Sequence, residues 1–187
     1  VLATPLVTVP RDVDGGSDGR LLHNSSGAPG CQAQYPSFLS YIAGVMDPIQ
    51  AATDFGCIAE IGTGGCGFEQ QLEAGFNAIW PSIYSDAKGD VVIPNPYMFL
   101  GPIPTGRGDL PAPEGAAGFV RTDVNLGLSL LAVVVVSDEE DCSARDTSLF
   151  TTDPANPISM QGTQVRCYNN KANLHAVNRY IEGFKIL

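Results

Sequence analysis

One stretch of the chain is apolar without interruption: residues 130–136 read Leu-Leu-Ala-Val-Val-Val-Val. No polar residue alternates within it, so an extended segment here has no face suited to water. A strand buried on both faces is therefore predicted. A helix is the alternative, but successive β-branched valines are stiff at χ1 and favour a pleated strand. The run stops at Ser137 and is followed directly by four acidic residues, 138–141.

Three other segments are predicted to be helices. Asp47 can cap a helix that begins with Pro48, Gln50 lies where a capping box takes Glu or Gln, and this helix should run to about residue 60. Apolar positions at helical spacing predict two more helices, over 68–80 and from about 171 to 185. Residues 81–118 are rich in Pro and Gly and are predicted to form a long surface insertion. The order helix, helix, strand, helix favours one layered α/β domain over residues 1–187.

Composition narrows the classes of partner. Twenty acidic residues against ten basic ones give 187 residues a net charge of −10, which argues against nucleic acid because phosphate binding needs a basic surface. No window approaches the roughly 18 continuous apolar residues of a membrane span. The chain begins at Val1 rather than Met, so a processed product or an excised piece of a longer protein is expected.

Five cysteines without a C-x-x-C pair favour disulfides in an oxidising compartment. Cys57 and Cys66 are close in sequence, and they are predicted to pair. Cys142 leaves the acidic stretch and Cys167 precedes the last helix, so these two are predicted to form the second bridge. Cys31 is left over.

The acidic residues after the apolar run are candidates for cation binding. In open α/β sheets the carboxyl ends of the strands face the ligand crevice, and a buried strand would deliver Asp138 there. Oxygen ligands suit hard cations such as Mg²⁺ and Ca²⁺. Glu139, Glu140 and Asp141 raise the negative potential around it. The alternative is a solvated acidic turn.

Other polar patterns are interpreted as ordinary surface or core residues. Glu73 and Asn77 fall on the polar side of the predicted 68–80 helix. His23 and His175 have no neighbouring acid–nucleophile pair, so no catalytic role is assigned to them. The tripeptide Arg-Gly-Asp at 107–109 matches an integrin-binding motif, but is predicted to lie on an exposed loop without a dedicated partner.

Three segments together resemble a known family. They are DFGCIAEIGTGGCGFEQQLEA at 54–74, VVVVSDEEDCS at 133–143 and NRYIEGF at 178–184. They resemble the von Willebrand factor A domains of bacterial exported proteins and lipoproteins. The resemblance implies a three-layer, doubly wound, mostly parallel sheet of the Rossmann-like type. It also implies a metal-ion-dependent adhesion site at the carboxyl edge of that sheet.

The implied metal site consists of three loops. Asp138 matches the loop after a buried strand, and Glu139 and Asp141 lie beside it. Thr63 is the candidate for the threonine loop, although Cys66 is closer to the family's spacing. The family's Asp-x-Ser-x-Ser loop is absent from this sequence, as is a last core strand after Leu187, so the domain is expected to be truncated at both ends.

The resemblance and the chemistry together predict a non-enzymatic adhesion domain. A bound Mg²⁺ or Ca²⁺ would capture a carboxylate from a protein ligand. Its location would be extracytoplasmic: secreted, periplasmic or on a surface-anchored lipoprotein. A metal-free structural or interaction domain is the main alternative. A metal-dependent hydrolase is disfavoured because such sites usually include His ligands and the two histidines are scattered.

Overall fold

The computed structural model describes residues 19–21, 23, 26–36, 38–60, 67–101, 103–112, 114–120, 125 and 129–187. Within these ranges the α-helices are α1 (Pro48–Ala59), α2 (Gln71–Ile79), α3 (Thr163–Asn169) and α4 (Asn178–Ile186). Two 3₁₀ turns, Thr147–Phe150 and Lys171–Asn173, lie on either side of α3.

The described residues form no β-sheet, so the prediction of a three-layer, doubly wound parallel sheet is wrong. Strand-type pairing among them is limited to two isolated antiparallel bridges, Ser85–Val91 and Ala144–Leu174. Residues 130–136, predicted as the central strand, form neither helix nor bridge. An uninterrupted apolar run specifies that a segment needs burial, but a strand also needs a neighbour to complete its hydrogen bonds. No described segment provides that neighbour.

Helix α1 confirms the first predicted helix. The side chain of Asp47 caps it, because its Oδ1 accepts a hydrogen bond of 2.9 Å from a first-turn backbone N–H. Near its C-terminal end, Cys57 and Ile58 are buried and pack against Tyr35. Burial of this end attaches the 31–39 segment to the helix.

The largest core cluster lies between α2 and α4. Phe76 and Trp80 have no exposed surface, and they pack with Phe99 and Tyr180. The two helices approach closely at Gly183, where an added Cβ would overlap the ring of Phe76. Aromatic side chains therefore fill the space between the helices, and a glycine allows the contact.

Residues 81–118 are more than a surface insertion. They include no described helix, yet they provide the buried side chain of Phe99. Their backbone also covers the C-terminal end of α2. The N–H of Arg107 donates to Asn77 O at 2.9 Å, and that of Gly108 to Trp80 O at 2.8 Å. These contacts satisfy carbonyl groups that a helix leaves unpaired at its end.

The last helix begins later than predicted. After the 3₁₀ turn at Lys171–Asn173, Leu174 forms a bridge with Ala144, and the N–H of His175 donates to Ser143 O at 2.8 Å. These tertiary bonds use backbone groups that a continuous helix would need. As a result, α4 starts at Asn178.

Candidate functional site

The segment that follows the acidic residues caps the N-terminus of α2. Asp141 Oδ1 accepts a hydrogen bond from Leu72 N at 3.0 Å, and Ser143 Oγ accepts one from Glu73 N at 2.9 Å. Helix α2 has no side-chain cap of its own, so these first-turn N–H groups depend on the remote segment. The negative charge of Asp141 also suits the positive end of the helix dipole. Asp141 thus has a structural role that the sequence did not indicate.

The carboxylates of the predicted metal site do not converge. Asp138 and Glu139 are exposed, whereas both oxygens of Asp141 accept hydrogen bonds from Leu72 or Ser143. Within the described ranges, no group of three or more His, Cys, Asp or Glu side chains is suited to a metal ion. Thr63 lies outside those ranges. The metal site therefore stays a prediction that depends on residues outside the described ranges.

The disulfides differ in part from the predicted pairing. Cys142 is joined to Cys167, the predicted pair, with a Cα–Cα distance of 5.6 Å. Cys57 is joined to Cys31, with a Cα–Cα distance of 5.7 Å, so its predicted bridge to Cys66 is wrong. Cys57 is buried in a cluster with Tyr35 and Ile58, and Cys31 packs against that cluster. Cys66 itself lies outside the described residues.

A buried ionic cluster joins α2 to α4. Glu73 is only 7% exposed, and its two carboxylate oxygens accept hydrogen bonds of 3.0 and 2.9 Å from the guanidinium of Arg179. The hydroxyl of Tyr180 donates to the same carboxylate at 2.8 Å. His175 Nε2 lies 3.4 Å from Glu73 Oε1 without forming a hydrogen bond, and the two form an ion pair only when the imidazole is protonated. The prediction that places Glu73 on the polar side of its helix does not anticipate this burial.

The electrostatics of this cluster follow from burial. Loss of solvent raises the pKa of Glu73, against the opposing effect of Arg179. Burial, with the charges of Arg179 and Arg145 nearby, lowers the pKa of His175 to about 4. Burial also raises the pKa of Tyr180, and the negative charge of Glu73 adds to that shift. At neutral pH the imidazole of His175 and the phenol of Tyr180 are therefore neutral beside the Glu73–Arg179 contact.

The chemistry available to the cluster is limited. The carboxylate of Glu73 is buried and already accepts three hydrogen bonds from Arg179 and Tyr180, so it is poorly placed to accept a proton from a substrate. Sequence reasoning missed the cluster because Glu73 follows ordinary helical spacing. The adjacent basic and aromatic residues of α4 were the only signal, and their partner is 106 residues away in sequence.

The apolar run 130–136 is exposed rather than buried. Leu130, Val134 and Val136 are 93, 80 and 90% exposed, whereas Leu131, Val133 and Val135 are 39, 43 and 49% exposed. Exposure thus alternates along the run, as expected of an extended backbone whose side chains point to opposite sides. One side is half-covered and the other is open. Its backbone forms no hydrogen bond with another described residue.

The Arg-Gly-Asp tripeptide is structural. Arg107 is fully buried and donates from its guanidinium to Glu114 O at 2.8 Å. Asp109 accepts hydrogen bonds of 2.6 and 3.0 Å from the backbone and hydroxyl of Ser82. The prediction of an exposed loop is therefore wrong for Arg107, which is unavailable to a receptor.

No protein-family model, curated protein or solved structure matches this sequence. The likeness to von Willebrand factor A domains therefore depends on the quoted sequence segments alone. The two disulfides indicate an oxidising, extracytoplasmic environment. In the part of the chain that the structure describes, no helix combines the length and apolar character needed to cross a membrane.

Proposed function

We propose that this chain is a non-enzymatic binding domain that acts outside the cytoplasm and docks a partner protein. The docking surface consists of the apolar run (130–136) and the acidic loop (138–140). One observation carries the proposal: seven consecutive apolar residues are exposed on a chain that otherwise buries an aromatic core. Contiguous exposed apolar surface on a soluble domain is characteristic of an interaction site.

The anchoring of this surface supports the proposal. Immediately after the acidic loop, Cys142 N donates to Glu69 O at 2.6 Å, and the side chain of Cys142 is bonded to Cys167. The C-terminal end of the surface is therefore attached by a hydrogen bond to Glu69, two residues before α2, and by a covalent bridge to α3. A surface fixed at one end loses less conformational entropy when a partner binds than a free segment would.

The state of the polar groups supports a non-enzymatic role. The carboxylate of Glu73 already accepts hydrogen bonds from Arg179 and Tyr180, and the raised pKa of Tyr180 keeps its phenol protonated. Two surface clefts of about 510 and 440 Å³ lie elsewhere, around residues 146–156 and 32–54. Neither cleft is lined by a member of the ionic cluster or of the docking surface. Binding thus accounts for the exposed groups better than catalysis does.

Localisation and metal dependence are further parts of the proposal. The net charge of −10 and the disulfides suit a secreted, periplasmic or lipoprotein-borne domain.

The resemblance to von Willebrand factor A domains would add Mg²⁺ or Ca²⁺ at Asp138. The proposed docking uses the apolar run and does not depend on such an ion. Thermal melting with each metal, for wild type and Asp138→Ala, tests this part: an upward shift lost in the variant would support a metal site.

The docking surface is tested by site-specific photo-crosslinking. A photoreactive amino acid replaces Val134, which is 80% exposed. As a control, it replaces Val45, which is 79% exposed and is distant from Val134 in sequence. The oxidised protein is incubated with the extracytoplasmic fraction of its source. We expect a discrete adduct from position 134 alone, competed by excess wild-type protein but not by Val134→Asp. Equal labelling from both positions, or none, would contradict the proposal and favour a purely structural domain.

A further inference from the structure

We propose that the partner docks by strand addition: an extended apolar segment pairs its backbone with residues 130–136 and places Lys or Arg beside the acidic loop. This inference rests on the proposed function and specifies the chemistry of the partner. Three observations support it: the alternating exposure of the side chains, a backbone that forms no hydrogen bond with another described residue, and the position of the acidic residues.

The alternating exposure shows that one side of the apolar run is already half-covered. Leu131, Val133 and Val135 retain 39, 43 and 49% of their exposure, about half that of their neighbours. Side chains of an extended segment alternate between two sides, so the run already has an inner and an outer side. A partner strand would lie alongside it, and the partner's outward side chains would cover Val134 and Val136 diagonally.

The backbone of the apolar run gives the partner its main contact. Residues 130–136 form no backbone hydrogen bond with another described residue, and they contain no Pro to interrupt a ladder. An unpaired extended segment is a template for another strand. In strand addition, main-chain hydrogen bonds provide affinity and alternate side chains provide specificity.

The acidic loop determines the charge of the partner. Asp138, Glu139 and Glu140 are exposed at the C-terminal end of the run and form no ion pair with another described residue. A partner with acidic residues at that end would be repelled, whereas Lys or Arg would be attracted. The acids therefore fix which end of the partner strand lies near Ser137. A second copy of this chain carries no basic residue between positions 129 and 144, so it meets this requirement poorly.

The experiment uses synthetic peptides and the full chain with both disulfides oxidised. One labelled peptide carries two lysines followed by alternating valine and threonine; a second has the lysines at the other end, which distinguishes antiparallel from parallel pairing. Binding is followed by fluorescence anisotropy at low and high salt. We expect one peptide to bind, and its form with alternate N-methylated amides to bind at least about tenfold more weakly, because several ladder hydrogen bonds are lost.

Matched variants locate the site. Val134→Asp should weaken peptide binding by about tenfold or more, because it introduces a charge into the contact, whereas Val45→Asp should leave it unchanged. The double variant Asp138→Lys/Glu139→Lys should weaken binding of the lysine peptide and improve binding of a peptide with two glutamates instead. High salt should reduce that difference.

Several outcomes would overturn strand addition. Equal binding of the N-methylated peptide would show that side chains, not the backbone, make the contact. Sedimentation showing a dimer that Val134→Asp abolishes, without peptide binding, would identify a second copy as the occupant. If no peptide binds while the crosslink from position 134 persists, strand addition fails and the proposed docking surface stands. If the crosslink is absent too, the proposed function fails with it.

Discussion

The ion pair between Glu73 and Arg179 offers a direct measurement of how the α2–α4 contact is stabilised. Arg179→Met keeps the length and apolar packing of the side chain, whose guanidinium lies over the rings of Tyr97 and Phe99 at 5.2 and 5.1 Å. The variant removes the charge and both hydrogen bonds to the carboxylate. It leaves Glu73 buried with Tyr180 as its remaining hydrogen-bond donor.

The expected loss of unfolding free energy is large. Removing one partner of a buried ion pair costs about 3–5 kcal/mol, because an uncompensated charge remains. The carboxyl group can avoid this cost by binding a proton. Burial already raises the pKa of Glu73, and loss of Arg179 raises it further. Glu73→Gln/Arg179→Met should recover much of the loss, and a coupling of about 1–3 kcal/mol between the two sites is expected.

The pH dependence gives this prediction a distinctive sign. A carboxyl group whose pKa is higher in the folded state binds more protons there than in the unfolded state. Stability of Arg179→Met should therefore rise as the pH falls toward about 5, by at most about 1.4 kcal/mol per pH unit relative to wild type. With Gln at position 73, this relative gain should disappear.

Urea unfolding at several pH values measures all of these quantities, provided that the dependence of the unfolding free energy on urea concentration is the same in wild type and variants. Lys185→Met is the control, because its ion pair with Glu182 is 63% exposed at both side chains. Its removal should cost about 0.5 kcal/mol or less. A comparable effect of the two substitutions, or a pH-independent effect of Arg179→Met, would show that solvent screens the Glu73 pair and would refute the reasoning.

Three further predictions concern protonation, covalent links and packing. The pKa of His175 falls from 6.5 to about 4 on folding, so the unfolded state binds a proton first as the pH drops from 6.5 to 4. The free energy of unfolding, measured with urea, should therefore decrease over that pH range. His175→Asn should make it less dependent on pH there. Non-reducing peptide mapping should recover Cys31 linked to Cys57; a peptide joining Cys57 to any other cysteine would contradict the packing of α1. Gly183→Ala should lower the free energy of unfolding, measured with urea, by about 1–3 kcal/mol, because the added methyl group overfills the α2–α4 contact. Gly56→Ala, which has open space around it, should be neutral or stabilising. Equal effects would argue against the close contact at Gly183.

Local sequence signals predicted the elements that depend on local interactions. The cap at Asp47 and the proline after it predicted the start of α1 correctly, because both act within a few residues. The prediction of a sheet was wrong because strand pairing depends on distant segments of the chain. The run 130–136 is apolar enough for a buried strand, but pairing is non-local and no described segment supplies it.

The candidate site shows the same division. Asp138 and Asp141 look equivalent in sequence, yet Asp138 is exposed and Asp141 is bound to a helix 69 residues earlier. The role of Glu73 depends on Arg179, which is still more distant in sequence. Spacing alone cannot distinguish a carboxylate available to a ligand from one that already has an internal donor.

The remote capping of α2 has a consequence for how the molecule folds. With nine residues, α2 is too short to persist alone in water. Its N-terminal partner, Asp141, lies 69 residues downstream of Leu72, and its C-terminal carbonyls are covered by Arg107 and Gly108. The segments that carry Asp141 and Arg107 must therefore both reach α2 before the helix is stable. Its formation is accordingly a late and highly cooperative step of folding. Amide exchange in α2 should then report opening of the whole core rather than fraying of a single helix.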